Sequence, residues 1–524
     1  MNEGQIMNNG QSVNPNQATN AVPVGNPDQT PSGVQSAPNT YTVPMSPQTQ
    51  PPVSEPVSPP PTPPFPAGPT DPPDSEGSIF DKALGFIKRI PKVAIFVSIG
   101  VLVLIVIFII VRALTSSSKT GVSSGTITWW GLWEDASVIQ PLISEYESQH
   151  SGVKINYVKA SPQDYRERLT SSLAKNEGPD IFFFHNSWVP MLKASLDSLP
   201  SSVMNPADYA KSYYSVMSSD LTSGSSIVGI PLGYDALTLY VNQDIFDKAG
   251  KTAPTNWDDY RLVAKQLTVK DDQGVITQAG AAMGRTENVD HWPEILALLM
   301  LQNGVDMSKP TGTTAEGALT YFTLFSTTDG VWDATLPSST QAFSAGKLAM
   351  YIGPTWRAFE IQTQNPNLKF RTYPIPQLPK DNPNQPDITY ATYWAQGVWS
   401  GSSKKATAWD FLKFLSTQES LSKLYQAESR VRSFGEPYPR TDMANLLKDH
   451  PIAGSVISQA PGAVSWYLDS RTFDGPTGIN SQMISYFNDA VNGVADGKTT
   501  PAKALETVAQ GVAQVLARYK LVVK

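Results

Sequence analysis

Between Val93 and Val111 the chain runs for nineteen residues without one charged side chain. As a helix at about 1.5 Å per residue that run is roughly 28 Å long, close to the hydrocarbon thickness of a bilayer. Buried helices of soluble domains seldom go so far without a polar face, so residues 93–114 read as a single transmembrane helix. Lys82, Lys88, Arg89 and Lys92 precede it closely; Arg112 and Lys119 follow. The basic excess on the N-terminal side puts the N-terminus in the cytoplasm and the C-terminal bulk outside the cell membrane. The run is longer than the apolar core of a secretory signal and lies far from the N-terminus, so an uncleaved anchor is the reading.

The span divides the chain into unlike parts. Nineteen of the 44 prolines fall before residue 74, and no lysine or arginine precedes Lys82. Residues 1–78 therefore cannot pack a core and read as a disordered Pro-rich tail with extended polyproline character. Its two uses are a solvated spacer and, around Pro59–Pro66, a docking segment. Residues 79–92 place Ile79, Phe80, Leu84, Phe86, Ile87 and Ile90 among the four basic residues, a juxtamembrane amphipathic pattern. Residues 115–125 are a Ser/Thr/Gly linker that holds the C-terminal bulk near the bilayer.

The foldable part is 126–524. About 400 residues exceed what one core usually covers, so two lobes are expected. Thr126–Trp130, Val153–Val158 and Ile181–Phe184 read as strands, and Val138, Ile139, Leu142, Ile143 and Tyr146 recur at helical spacing between the first two. This β-α-β-α-β order implies an α/β fold with mainly parallel sheets. Thr500-Pro501 is an N-cap followed by proline at the first helical position. Leu505, Val508, Val512, Val515 and Leu516 then mark an amphipathic terminal helix.

Composition removes several chemistries. There is no cysteine, so disulfides, thiolate metal sites, a cysteine nucleophile and lipid attachment through cysteine are excluded. A net charge of −7 argues against nucleic acid as a partner. His150, His185, His291 and His450 have no metal-helix spacing, and neither a phosphate-binding loop nor a nucleophile elbow occurs. No metal or cofactor is expected. Two carboxylates from distant segments remain compatible with a glycosidase.

Twelve tryptophans carry more information. Trp130 and Trp133 follow the first strand, Trp188 follows the third, Trp356 follows Gly353-Pro354, and Tyr393-Trp394 precede another apolar segment. Ligands of open α/β sheets sit beyond the carboxyl ends of strands. A flat ring beside carboxylates and amides suits a sugar, whose CH face packs on indole while its hydroxyls are hydrogen-bonded.

Several blocks then resemble one family. Gly178-Pro179-Asp180-Ile181 and Gly229-Ile230-Pro231 through Leu237-Thr238-Leu239-Tyr240-Val241-Asn242 are similar to its strand blocks. Asp244–Gly250 with Pro254–Asp259, Ala342–Met350 with Gly353-Pro354-Thr355-Trp356, and Ala408–Leu415 are similar to its later ones. Together, in order over about 400 residues, they resemble the extracellular solute-binding proteins of ABC importers, in the maltose-binding-like group. The resemblance implies a two-lobed periplasmic-binding-protein-like fold with a hinge, a carbohydrate ligand, ABC permease subunits and the membrane as partners, a monomer, and no enzymatic activity. It implies a first lobe from 126–234 and about 390–440, and a second from about 235–389 and 441–524. By position it assigns ligand contact to Asp235 and Trp356, with Trp292 nearby, and to Trp130, Trp133, Glu134, Asn186 and Trp188 on the opposite lobe. Tyr393, Trp394, Glu436 and Arg440 complete the expected site. The family's usual lipidated cysteine is missing, and the membrane helix takes its place. The rival readings are a surface solute sensor and a sugar-cleaving enzyme.

Overall fold

The computed structural model describes residues 122–521, apart from 381, 383 and 384. The Pro-rich tail, the basic segment and the apolar run 93–114 lie outside the described residues. Among the described residues no helix is long and apolar enough to cross a membrane.

The chain begins with β1 (Gly125–Gly131), α1 (Ala136–Gln149), β2 (Val153–Lys159), α2 (Tyr165–Ala174) and β3 (Ile181–His185). In β1 every second residue faces inward, so Ile127 and Trp129 are buried while Thr126 and Thr128 are not. Ile127 and Trp129 belong to the core that the apolar face of α1 also enters. A short β4 (Ile230–Pro231) leads to β5 (Leu237–Asn242), β6 (Val269–Lys270), β7 (Ile276–Ala281), α3 (Trp292–Gln302), β8 (Leu348–Pro354), α4 (Arg357–Gln364) and β9 (Phe370–Tyr373). The chain returns through β10 (Thr389–Tyr390), β11 (Trp394–Val398), α5 (Lys405–Leu415), α6 (Gln418–Glu428), α7 (Ala453–Gln459) and β12 (Ala463–Val464). It ends in α8 (Ile479–Ala495) and α9 (Pro501–Arg518). Thr500 caps α9 by accepting from the Lys503 amide, as its sequence indicates.

Two separate cores form. The first gathers Ile127, Trp129, Phe182, Phe184, Trp188 and Trp409; the second gathers Leu239, Tyr240, Trp257, Leu296, Phe322 and Trp332. Five strands serve each lobe, in the orders β2-β1-β3-β11-β4 and β9-β5-β8-β7-β6. The sheets are mixed, not mainly parallel. β2, β1 and β3 run parallel, but β11 is antiparallel to both β3 and β4. β8 is parallel to β7 and antiparallel to β5. The reason is the return from the other lobe: β11 enters its sheet from across the hinge, with no crossover helix to impose the parallel direction.

Three crossings lie side by side. Ala236 pairs with Ala391, Thr389 and Tyr390 pair with Ala463 and Val464, and the Thr392 amide donates to the Asp235 carbonyl at 3.0 Å. Ala236, Ala391 and Ala463 belong to the first core, while Leu237, Tyr390 and Leu468 belong to the second. The boundary expected near 440 shifts, because Met443, Leu447, Val456 and Ile457 also pack in the first core. Helix α7 touches both lobes: its Ser455 hydroxyl bonds Thr238 and Thr372 of the second sheet at 2.7 Å each. The end of the expected linker is docked, since Ser123 exchanges hydrogen bonds with the Thr407 hydroxyl on α5.

Candidate functional site

A cavity of about 460 Å³ lies between the lobes. It sits beyond the carboxyl ends of β1, β3 and β8, where an α/β sheet leaves room for a ligand. Local chain geometry builds its first wall. A Cβ on Gly131 would meet the Tyr157 hydroxyl at 2.1 Å. Glycine there lets Tyr157 reach past β1 and donate to the Glu134 carbonyl at 2.7 Å, which fixes the turn carrying Trp133 and Glu134.

The first wall is aromatic. Trp133 meets Trp394 edge-on at 5.4 Å, and Trp394 is backed by His185 at 5.3 Å and Trp188 at 5.4 Å. Such edge-to-face pairs hold a ring's angle as well as its position. Trp129 Nε1 donates to Gln396 Oε1 at 3.3 Å. Burial pushes the His185 imidazole down to about 3, so it is neutral, bonded to the Ser187 and Thr392 hydroxyls.

Beside these rings stands a charge cluster. Arg432 reaches Glu134 at 2.9 Å and Glu428 and Glu436 at 3.2 Å each. Glu428 is nearly fully buried, and desolvation pushes its carboxyl up to about 8 against the pull of Arg432. Burial raises Glu134 as well. The Arg432 guanidinium lies 4.9 Å over the Phe359 ring of the second lobe.

The second wall is built around Trp356. Asp235 spends both carboxylate oxygens on backbone and hydroxyl donors. Oδ1 accepts from the Ala236 and Thr355 amides at 2.8 and 3.0 Å; Oδ2 accepts from the Thr355 hydroxyl at 2.8 Å and the Trp356 amide at 3.2 Å. Desolvation pushes its carboxyl up to about 7. His291 meets the Trp356 ring edge-on at 5.7 Å, and the Arg357 guanidinium lies 4.4 Å from it. Arg357 Nε donates to His291 Nε2 at 2.8 Å, which leaves the imidazole proton on Nδ1, facing Glu294 Oε1 at 3.2 Å. Ser470 donates to the same Glu294 oxygen at 2.6 Å.

One loop closes the cavity. Arg471 and Phe473 both have left-handed backbones, with φ of 54° and 53°. For such residues this conformation costs about 1–3 kcal/mol and persists only where neighbours impose it. Asp474 does so by accepting from the Asn480 amide and the Ser481 hydroxyl. The result aims Arg471 at Trp356, 5.9 Å away, and Phe473 at Trp133, also 5.9 Å. The lobes touch elsewhere too: Ser433 donates to Gln362 at 2.6 Å and Arg166 to Thr477 at 2.6 Å.

Of the residues expected from sequence, Trp133, Glu134, Asp235, Trp356, Tyr393, Trp394 and Glu436 line this cavity. Five do not. Trp130 faces away because the strand alternation points its neighbour Trp129 inward. Trp188 is fully buried behind Trp394, and Trp292 is buried in the second core while His291 and Glu294 reach the cavity. Asn186 bonds Asp220 at 2.9 Å in a separate hollow. Arg440 pairs with Asp442 at 2.6 Å and caps the Ser416 carbonyl. Phe359, Glu428, Arg432, Arg471 and Phe473 were not anticipated. The acid-base-acid spacing of Glu428, Arg432 and Glu436 was a usable signal; the loop 470–475 offered none.

Residues 130–421 match the model of the bacterial extracellular solute-binding protein family. The chain belongs to that family. Membership places it among binding proteins and not among enzymes. A binding protein of Brucella abortus (strain 2308) is 22% identical over 330 residues, which is 61% of this chain and 77% of the relative. A Brucella suis biovar 1 binding protein matches equally well. Solved solute-binding proteins share the fold. A cyclo/maltodextrin-binding protein complexed with maltotetraose aligns at 17% identity and a TM-score of 0.60, over 75% of this chain and 98% of that one. The Listeria monocytogenes ABC substrate-binding protein in complex with cycloalternan aligns at 19% and 0.58, over 75% and 100%. The GacH receptor of Streptomyces glaucescens, solved unliganded and with acarbose, aligns at 18% and 0.57, over 75% and 99%.

Proposed function

We propose that the cavity binds a carbohydrate of oligosaccharide size and that the two lobes close over it to present it to an ABC importer. The observation that carries this reading is the pairing of stacking rings with acceptors across one cavity. Trp133, Trp394 and Tyr393 face it from the first lobe, Trp356, Phe359 and Phe473 from the second, and carboxylates stand between them. Flat CH faces and hydroxyl rims ask for that combination. The bound sugars of the structural neighbours support it.

A ligand favours closure only through contacts made in the closed state, so it must touch both walls. At about −0.3 kcal/mol per heavy atom a disaccharide reaches roughly −7 kcal/mol, near micromolar affinity. That is tight enough for capture and weak enough for release. The domain works at the outer face of the cell membrane as a monomer, held by the span at 93–114 with its tail in the cytoplasm. The apolar run and its flanking charges support that placement.

Calorimetric titration of the full-length protein against mono- and oligosaccharides, with product analysis of the same samples, tests the reading. Stoichiometric binding of an unchanged sugar is expected. Turnover, or silence across the panel, would remove it. Protease protection of an N-terminal tag in intact cells tests the orientation; cleavage from outside would reverse it.

A further inference from the structure

We propose that the solute carries a protonated amine, an amino-bearing saccharide whose ammonium group sits against Glu134, Glu428 and Glu436. This rests on the carbohydrate reading and narrows it.

The charge count at this wall does not close. One guanidinium, Arg432, serves three carboxylates within 3.2 Å. Lys159, the other cation acting on the cluster, is spent on Asp135 at 2.7 Å. On the opposite wall Arg357 is claimed by Glu360 at 2.5 Å. Arg471 enters the cavity on the far side, over Trp356. Burial raises Glu428 to about 8, so near neutral pH it holds a proton. Arg432 then offsets one of Glu134 and Glu436, and one carboxylate's worth of negative charge remains at this wall. A neutral hydroxyl can donate to these oxygens, but it cannot offset their mutual repulsion. An ammonium does both, and the surrounding aromatic faces attract it as well.

A second observation comes from the other lobe. Glu294 is 1% exposed, borders the cavity, and its Oε2 has no hydrogen-bond partner. Buried carboxylate oxygens are normally satisfied, so this one awaits a donor from the ligand. The upward shifts of Glu428 and Glu134 fit the same picture. Arg432, Glu436, Glu134, Tyr425 and Tyr438 face Glu428, and burial, reinforced by the neighbouring acids, leaves it holding a proton.

The test is calorimetry on the full-length protein at pH 6.5 with glucosamine oligomers, their N-acetylated counterparts, and neutral glucose oligomers. The amine form is expected to bind at least tenfold more tightly than its N-acetylated partner, and to lose that margin at high salt. Glu436→Gln should shrink the amine-to-neutral ratio about tenfold, with Glu436→Asp keeping part of it. Neutral sugars binding as well as or better than the amines would overturn this inference and leave the carbohydrate reading standing. No binding by any sugar would remove both.

Discussion

The two walls of the cavity solve the burial of charge in opposite ways. On the second wall most polar groups are committed, with Glu294 Oε2 and one Arg357 nitrogen left without a hydrogen-bond partner. Asp235 takes four donors, and Arg357, His291 and Glu294 form one chain, so Trp356 is held by its amide, its edge and its face. On the first wall one guanidinium is shared by three carboxylates. The first arrangement positions a ring; the second leaves electrostatic demand for a ligand to meet. The contrast teaches that acidic residues in one cavity need not share a role. Asp235 shapes the site, while Glu436, about one-third exposed, faces what enters it.

The contrast breaks most visibly at Arg432. Arg432→Met leaves three carboxylates uncompensated and should cost about 3–5 kcal/mol at pH 8 by urea unfolding, with part regained below pH 6. Little change at pH 8 would mean the cluster is already protonated. Asp235→Ala should lose about 2–3 kcal/mol, because four donors go unpaired, and should weaken sugar binding by loosening Trp356. Unchanged affinity would show that the ring needs no such support. Trp356→Ala should weaken binding about tenfold to a hundredfold, roughly 1.4–2.7 kcal/mol, with the melting temperature nearly kept.

A pH series sharpens the first wall. Burial raises Glu428 from an ordinary 4.5 to about 8, so the folded state binds the proton more tightly than the unfolded one. Its stabilising contribution is fully present below about 4.5 and is lost as pH rises through about 8. Melting temperature should fall across that window, and Glu428→Gln should flatten the fall. Asp235, raised to about 7, acts in the same direction over a lower window and should persist in that variant. The smallest effect is expected at Arg440. Its partner is Asp442, so Arg440→Ala should leave affinity within about twofold. A larger loss would tie this ion pair to the site.

Much of the fold was legible because it is local. The capped helix after Thr500 appears as read. Gly346 takes a φ of 71° just after a short helix ends, a conformation glycine adopts at no steric cost. Trp257 packs in the second core, with Asn256 capping its helix. Trp133, Trp356 and Trp394, read near strand ends, do line the cavity, whereas Trp130 and Trp188, also near strand ends, do not. Trp130 and Trp129 differ only in which side of β1 they face, a choice made by the packing of the whole lobe around the strand.

From the amino acids alone came the periodicities, the caps, the missing cysteine, the uncharged run and the blocks that mark the family. Each depends on neighbours within a few turns of chain, or on composition. Only the tertiary structure decided which carboxylates share Arg432, which tryptophans line the cavity, and that loop 470–475 carries Arg471 and Phe473 into it. Glu134 and Arg432 lie some 300 residues apart in sequence yet 2.9 Å apart in space. Their pairing exists only because the chain returns across the hinge to finish the lobe it began. Charge balance in a closed cavity depends on that return, and no local rule encodes it.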